Sequence, residues 1–183
     1  MSDEFDPREM LRGAVPALAD VQLLPDTHPL LAKRMEVFDF EGDGRDPMAI
    51  RDLLIAAMQE HRGVGLAANQ IGVECRAFAM LLDNRHPIVM FNPVITELSQ
   101  ETTVIEEGCL SFPNLWLKIA RPETCRVIYH DPEGNRQSEL LSGYNARIAL
   151  HETDHLNGVV MTTKVSKLKL DMAKKRARKL RNP

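Results

Sequence analysis

The chain has 183 residues, a formal net charge of −3 and 44% hydrophobic residues. This length is enough for one domain with a full core and too short for two independent ones, so we expect a single domain over residues 1–183. The early acids Asp3, Glu4 and Asp6 argue against a secretory signal or transit peptide, and no apolar run approaches the ~20 residues of a membrane span. We therefore expect a soluble, cytoplasmic protein with no membrane contact.

The first half of the chain predicts one clear helix. Residues 1–20 show no strong periodicity, and we expect them to form a loose N-terminal arm. Asp46 is suited to cap a helix whose first position is Pro47. Apolar residues then recur at helical spacing, at Ile50, Leu53, Leu54, Ala57 and Met58. The glycines of residues 63–72 predict irregular backbone after this helix.

The second half predicts strands followed by helices. β-prone runs lie at 80–82, 87–92, 102–106, 115–120, 124–130 and 136–142. The turn-forming residues 131–135 separate the last two and indicate a hairpin. We predict a second helix over about residues 144–157 and a third from about Ser166. Since helices and antiparallel-type strands are segregated, the order predicts an α+β fold rather than an alternating α/β one.

His151, Glu152 and His155 form a His-Glu-x-x-His pattern on the second predicted helix. At ~100° per residue, histidines four positions apart project from the same helix face and can bind one metal ion. A glutamate beside the first histidine can reach a water at the ion and act as a general base. Two histidines alone make an incomplete site, so a third ligand must come from elsewhere.

Cys109 is the best candidate for the third ligand. Met161 occupies the position where metzincins have a third histidine, which excludes that subclass. The only acid after Gly158 is Asp171, deep in a basic tail, so the missing ligand is expected upstream. Cys109 follows a glycine at the end of a predicted strand, although a lone free cysteine is more often a small buried hydrophobe.

The three cysteines, Cys75, Cys109 and Cys125, are an odd number at irregular spacing, which argues against a disulfide framework and for a reducing compartment. We expect Cys75 and Cys125 to be buried within apolar strands.

The glycine-rich residues 63–68 formally match a dinucleotide-binding fingerprint, with Asp83 at a suitable distance for ribose. The required context is missing, because a predicted helix precedes these glycines where a strand should be. We therefore expect no nucleotide cofactor. Gln70 ends this small, apolar run and is a candidate amide donor directed at an active site; a loop glutamine in water is the alternative.

Three segments together resemble the signature motifs of peptide deformylases: residues 63–70 (Gly-Val-Gly-Leu-Ala-Ala-Asn-Gln), 107–111 (Glu-Gly-Cys-Leu-Ser) and 151–156 (His-Glu-Thr-Asp-His-Leu). The similarity extends from about Val21 to the end of the chain. It implies a peptide-deformylase-like catalytic domain, with antiparallel sheets around a central metal-binding helix and with N-terminal and C-terminal helices. The implied reaction removes the formyl group from the initiator methionine of newly made polypeptides and releases formate.

The resemblance also implies roles for individual residues. Cys109, His151 and His155 would bind one divalent metal ion, usually Fe²⁺, with Zn²⁺, Ni²⁺ or Co²⁺ as possible substitutes. Glu152 would be the general base, and Gln70 and the backbone N–H of Leu110 would bind the oxyanion. Gly65 would border the substrate, and Asp154 and Arg121 would support the metal-binding helix.

The methionine side chain requires an apolar pocket near the ion. Val64, Leu110 and Ile148 are our candidate walls, although a plain core role is equally consistent with the sequence. The rest of the peptide is expected to add as a strand along residues 63–65. Leu150, Trp116 and residues 160–163 depart from the common family pattern without affecting a metal ligand.

The C-terminal residues 164–183 are strongly basic, with nine Lys and Arg against one acid. We expect a helix that packs through Val165, Leu168 and Met172 and presents its charges to solvent, for contact with ribosomal RNA or simply with water. Two other functions remain open from sequence: a zinc protease with the same helix, and a non-catalytic ribosome- or RNA-binding protein.

Overall fold

The computed structural model describes residues 15–181, with side chains for residues 15–179. Most of the expected N-terminal arm, residues 1–14, lies outside the described residues. The strands are β1 Gly65–Ala67, β2 Ala77–Leu82, β3 His86–Leu98, β4 Thr102–Cys109, β5 Phe112–Pro122, β6 Thr124–His130 and β7 Arg136–Ser142. The helices are α1 Pro47–Glu60, α2 Gly143–Leu156 and α3 Lys167–Arg181. The α+β prediction is confirmed.

The strands form two antiparallel sheets. A five-stranded sheet has the order β1-β2-β3-β6-β7, and β4 and β5 form a separate two-stranded sheet. Between the sheets lies α2, which contacts strands of both. This arrangement brings the end of β4 close to α2, although the two are distant in sequence.

Helix α1 forms where its sequence predicts it. The Asp46 side chain accepts a hydrogen bond from the backbone N–H of Met48 at 2.9 Å, and Pro47 occupies the first helical position. Its apolar face packs against β1, β2 and β3. That face consists of the five residues expected from the periodicity, all of them buried: Ile50, Leu53, Leu54, Ala57 and Met58.

Helix α2 is buried along most of its length, which is unusual for a helix with so many polar residues. Ala146, Ile148, Ala149 and Leu156 join a core cluster with β2, β3 and β6. The helix ends before Gly158, whose φ of +70° is in the left-handed region. A side chain at Gly158 would also collide with the backbone of Ala32, so only glycine fits this turn.

The packing face of α3 differs from the prediction. Leu170 and Ala173 pack, with Val165, against a core cluster of β5 and the turn at Met161. Leu168 and Met172, predicted to pack, are 71% and 50% exposed. The prediction was wrong because the helix turns a neighbouring face toward the body, the face of Leu170 and Ala173, which follow Leu168 by two and five positions.

Two further details correct the sequence-based assignment. Strand β1 lies in the segment predicted as irregular, and Cys75 lies just before β2 rather than within a strand. Both Cys75 and Cys125 are buried, as expected. No helix within residues 15–181 is long and apolar enough to span a bilayer.

Candidate metal centre and substrate cavity

A thiol and two imidazoles converge where β4 meets α2. The ligand atoms of Cys109, His151 and His155 all lie within 4.8 Å of one another. Cys109 is the last residue of β4, and its Sγ lies 3.2 Å from Nε2 of His155. The histidines share one face of α2, with ring centroids 5.0 Å apart. Sulfur and imidazole nitrogen are ligands that suit a transition metal, so this cluster can bind one.

Glu107 holds the first histidine in place. Its Oε2 lies 2.9 Å from Nδ1 of His151, which leaves Nε2 of that ring for a metal. Arg121 donates to both carboxylate oxygens of Glu107 at 2.7 and 2.9 Å, and Arg147 donates to Oε1 at 2.8 Å. Burial alone would raise the pKa of Glu107, but the hydrogen bonds from His151 and Arg121 lower it to about 2. Glu107 is therefore a fixed carboxylate.

The two imidazoles differ in their surroundings. Burial opposes the charged form of His151, but its hydrogen bonds with Cys109 and Glu107 raise its pKa to about 10 in the metal-free chain. Burial and the nearby His151 charge hold the pKa of His155 well below its usual value. Nδ1 of His155 has no hydrogen-bond partner in the described part of the chain. His155 is thus a neutral imidazole, the form that binds metals.

Glu152 lies beside the cluster in a nearly dry environment. Its side chain is 4% exposed, and Oε2 has no hydrogen-bond partner among residues 15–181. Burial raises the pKa of Glu152 to about 7, although His151 partly opposes this. A carboxyl group with a pKa near neutrality can accept and return a proton under physiological conditions.

Gly65 makes room for this carboxylate. A Cβ at Gly65 would collide with Oε1 of Glu152 and lie 2.8 Å from Cγ2 of Ile148. The glycine is therefore required for the close approach of β1 to α2.

The amide of Gln70 points toward the thiol. Its Oε1 accepts a hydrogen bond from the Ala67 N–H at 2.8 Å, which fixes the side chain. Its Nε2 then lies 3.4 Å from Cys109 Sγ and 3.2 Å from Ser111 Oγ. Gln70 is 2% exposed, so it is not the loop glutamine in water that was the alternative.

A cavity of about 400 Å³ opens in front of the cluster. It is lined by eight of the nine site residues expected from sequence: Val64, Gly65, Gln70, Cys109, Leu110, Ile148, His151 and Glu152. The ninth, His155, is completely buried behind Cys109. Val64 and Leu110 are only partly buried, so they face the cavity rather than serving only as core. The structure thus brings together all the candidate residues at one place.

Sequence reasoning missed Glu107 and Arg147 as supports of the site. Arg147 lies on α2 one turn before His151, and it also donates to the carbonyl oxygens of Ile119 and Thr103 at 2.9 and 2.8 Å. An arginine among the apolar residues of a helix was an available signal, because a buried guanidinium requires a carboxylate partner. The expected support pair is present, with Arg121 donating to Asp154 at 2.6 Å.

Comparison with known proteins assigns the chain to a family. The family model described as polypeptide deformylase matches residues 21–171. The chain belongs to the polypeptide deformylase family.

Several members are similar over most of their length. Peptide deformylase of Thermotoga petrophila is 39% identical over 81% of this chain and 88% of its own. That of Wolbachia pipientis is 36% identical over 90% and 97% of the respective chains. Among solved structures, the enzyme of Synechococcus elongatus in complex with actinonin aligns with a TM-score of 0.79 at 30% identity, over 86% of each chain. The Thermotoga maritima enzyme aligns with a TM-score of 0.75 at 37% identity, over 80% of this chain and 97% of its own.

Membership of the polypeptide deformylase family establishes which reaction the chain catalyses. The chain is a metal-dependent hydrolase that removes the N-formyl group from nascent polypeptides. The cluster of Cys109, His151 and His155 is the part of the described chain that can hold the required ion.

Proposed function

We propose that this deformylase acts on the formylated initiator methionine at a metal centre formed by Cys109, His151 and His155, and that it releases formate. The observation that carries the proposal is the convergence of these three ligand atoms within 4.8 Å, with the buried Glu152 next to them in the same cavity. A thiolate and two imidazoles leave a coordination position free, as a hydrolytic centre requires.

A divalent ion held by Cys109, His151 and His155 would supply one part of the chemistry, because it would lower the pKa of water and so provide a nucleophile at neutral pH. Glu152 takes the proton from the attacking water, for which its raised pKa is suited. The water oxygen bonds to the formyl carbon, and negative charge develops on the formyl oxygen. Glu152 then gives the proton to the leaving nitrogen as the C–N bond breaks, so that formate and a free amine result.

Two N–H donors bind the developing oxyanion. The Nε2 amide of Gln70 is directed toward the cluster, and the backbone N–H of Leu110 follows Cys109 directly. Donors fixed in place before the reaction typically contribute ~10²–10³ in rate each. The hydrogen bond from Ala67 to Gln70 supports this role, because it orients the NH₂ group rather than the oxygen toward the site.

The methionine side chain occupies the apolar part of the cavity. Val64, just before β1, and Ile148 of α2 line this part. Leu110 lies next to Gly63, whose added Cβ would be 2.9 Å from Cδ1 of Leu110. A flexible thioether fits an irregular apolar space of this kind. Gly65 and the free edge of β1 are available for pairing with the peptide backbone.

The decisive experiment measures formate released from formyl-Met-Ala-Ser by protein purified without oxygen. We expect rapid turnover by the native chain and loss of nearly all activity in Glu152→Gln, with the metal content unchanged. Asp171→Asn, an exposed acid on α3, is the matched control and should retain full activity. If Glu152→Gln keeps most of its rate, Glu152 is not the base.

We propose Fe²⁺ as the native ion, with Ni²⁺ or Co²⁺ as working substitutes. A site with one thiolate and two imidazoles accepts all of these, and ferrous iron bound by a thiolate is prone to oxidation. Activity lost in air and restored by Ni²⁺ or Co²⁺ would support iron. A fully active preparation that contains only zinc would refute it.

We also propose that α3 contacts the ribosome, which places the enzyme in the cytoplasm where nascent chains emerge. Its basic residues from Lys167 to Lys179 are exposed, and so are the apolar Leu168 and Met172. An exposed surface that combines cations with apolar side chains suits a partner made of RNA and protein.

Charge reversal tests this contact better than truncation, because Val165, Leu170 and Ala173 belong to the core. Lys174→Glu with Lys175→Glu should weaken ribosome association in a salt-dependent way and leave hydrolysis of a short peptide unchanged. The control reverses the same number of charges at Arg85 and Arg136, which are exposed elsewhere. Equal binding by both double variants would exclude α3 as the contact.

A further inference from the structure

The mouth of the cavity carries an exposed tryptophan. Trp116 lies on β5, lines the cavity, and has 57% of its surface exposed. An exposed indole that lines a cavity offers a large, rigid apolar surface to a bound ligand. Its strand partner is Gly108, which directly precedes the thiol ligand Cys109. The indole thus lies across the strand pair from the residue that precedes the proposed metal ligand Cys109.

The backbone around Trp116 fixes the position of the indole ring. A Cβ at Gly108 would lie 2.9 to 3.1 Å from three carbons of the indole, so the ring rests directly on the glycine. Three residues bulge from β5 between Phe112 and Trp116, since Phe112 pairs with Cys109 and Trp116 with Gly108. Within this bulge, Asn114 has a φ of +64°. A bulge of this kind re-aims a side chain next to an active site.

A second aromatic ring lies on another wall of the same mouth. Tyr144 is 52% exposed and also lines the cavity. It is one helical turn before Ile148 and two turns before His151, so it shares their face of α2. The cavity is therefore lined by two exposed aromatic rings, one from β5 and one from α2.

We infer that Trp116, together with Tyr144, selects the residues that follow formyl-methionine and favours an aromatic side chain there. The inference rests on the proposed function, because that function places the methionine in the cavity. In an extended peptide successive side chains point to opposite sides, so one of the two residues after methionine faces the indole. Aromatic pairs in offset or edge-to-face contact contribute enough for a preference of about three- to ten-fold.

The test compares formate release from formyl-Met-Ala-Ala, formyl-Met-Phe-Ala and formyl-Met-Ala-Phe. For the native chain we expect one phenylalanine peptide to exceed the alanine peptide about three- to ten-fold in kcat/KM, mainly through a lower KM. In Trp116→Ala this ratio should fall toward one, and Trp116→Phe should restore most of it. Leu140→Ala, which removes another exposed apolar side chain on β7, should keep the native ratio.

Fluorescence gives an independent measurement, because Trp116 is the only tryptophan of the chain. In metal-loaded Glu152→Gln, the favoured phenylalanine peptide should shift the tryptophan emission more than formyl-Met-Ala-Ala does. Equal kcat/KM for all three peptides, or an unchanged ratio in Trp116→Ala, would overturn the inference and leave the deformylase function intact. No formate from any peptide would instead refute the proposed function.

Discussion

The absence of a side chain at Gly65 leaves room for the Glu152 carboxylate. The hydrogen of this glycine occupies the space between the Glu152 carboxylate and Ile148, where a methyl group does not fit. The same glycine lines the cavity. One position therefore controls both the placement of the proposed base and the width of the cavity.

We predict that Gly65→Ala lowers kcat/KM for a formyl-Met peptide by roughly 10²-fold, because displacement of a catalytic group by about 1 Å has an effect of that size. The metal content should stay unchanged, since no ligand is touched. Steady-state kinetics and metal analysis check this. Gly42→Ala is the matched control: it lies in an exposed loop where the new methyl meets only the flexible Asp39 side chain. Equal kinetics for both variants would contradict the steric role of Gly65.

Glu107 connects three elements at the back of the site. From β4 it accepts hydrogen bonds from Arg121 of β5 and Arg147 of α2, and it also holds His151. Arg121 extends the network to Asp154, which Lys164 also contacts at 3.0 Å. Such a buried carboxylate loses several hydrogen bonds at once if it is protonated or removed.

This network predicts a pH dependence of stability. The pKa of Glu107 is about 2 in the folded chain and near 4.5 when unfolded. A lowered folded pKa stabilises the protein above the unfolded value, and that stability is lost as the pH falls from about 4.5 toward 2. The difference corresponds to on the order of 3 kcal/mol. Urea unfolding of the metal-free chain between pH 6 and pH 3 should show the part of this loss that occurs between about pH 4.5 and pH 3, roughly half of it or somewhat more.

Glu107→Gln should be less stable than the native chain at pH 6 and should lose much less stability on acidification. Glu106→Gln, which removes the same charge from the adjacent exposed residue, is the control and should follow the native profile. A Glu107→Gln profile parallel to the native one would show that another group carries the acid sensitivity.

The elements that sequence predicted well are those with a strong local signal. Helix α1 has a cap, a proline and a regular apolar face, and β6 and β7 flank an evident turn. Strand β1 was missed because a three-residue strand that begins at a glycine shows no period, and its conformation depends on pairing with β2. The face of α3 was misassigned because Leu168 and Leu170 are both apolar, and only the tertiary contacts decide between them.

The candidate site, like the fold, could be predicted only where the sequence carries a local signal. The His-Glu-x-x-His spacing indicates two ligands from local geometry alone. Cys109 was the best candidate for the third because no suitable ligand lies downstream and because it follows a glycine at a strand end, but spacing alone does not show that it approaches the histidines. Arg147 stands out as an arginine among apolar helix residues, but its partner Glu107 could not be identified locally, since their hydrogen bond joins residues 40 positions apart. Interactions between distant segments are the part that periodicity and spacing do not predict.

At the scale of the whole molecule, the proposed metal site draws its ligands from two layers of the fold. Cys109 belongs to the two-stranded sheet, and both histidines belong to the helix that packs on the five-stranded sheet. We predict that chelation lowers the melting temperature. An ion present at ~1,000 times its Kd contributes about 4 kcal/mol to the free energy of unfolding, and this corresponds to roughly 8–16 °C for a chain of this size. His155→Ala, which lacks a ligand, should show no such metal-dependent shift.

Alkylation distinguishes loss of the ion from general unfolding in that experiment. Burial raises the pKa of Cys75 to about 12 and that of Cys125 to about 11, and both are 1% exposed. Neither forms a reactive thiolate near neutral pH while the fold is intact.

Cys109, in contrast, is partly exposed at the cavity. After chelation, iodoacetamide should therefore modify Cys109 alone, as judged by peptide mass spectrometry. Modification of all three cysteines would show that the chain unfolds without its ion, and protection of Cys109 in the chelated chain would contradict its role as a ligand.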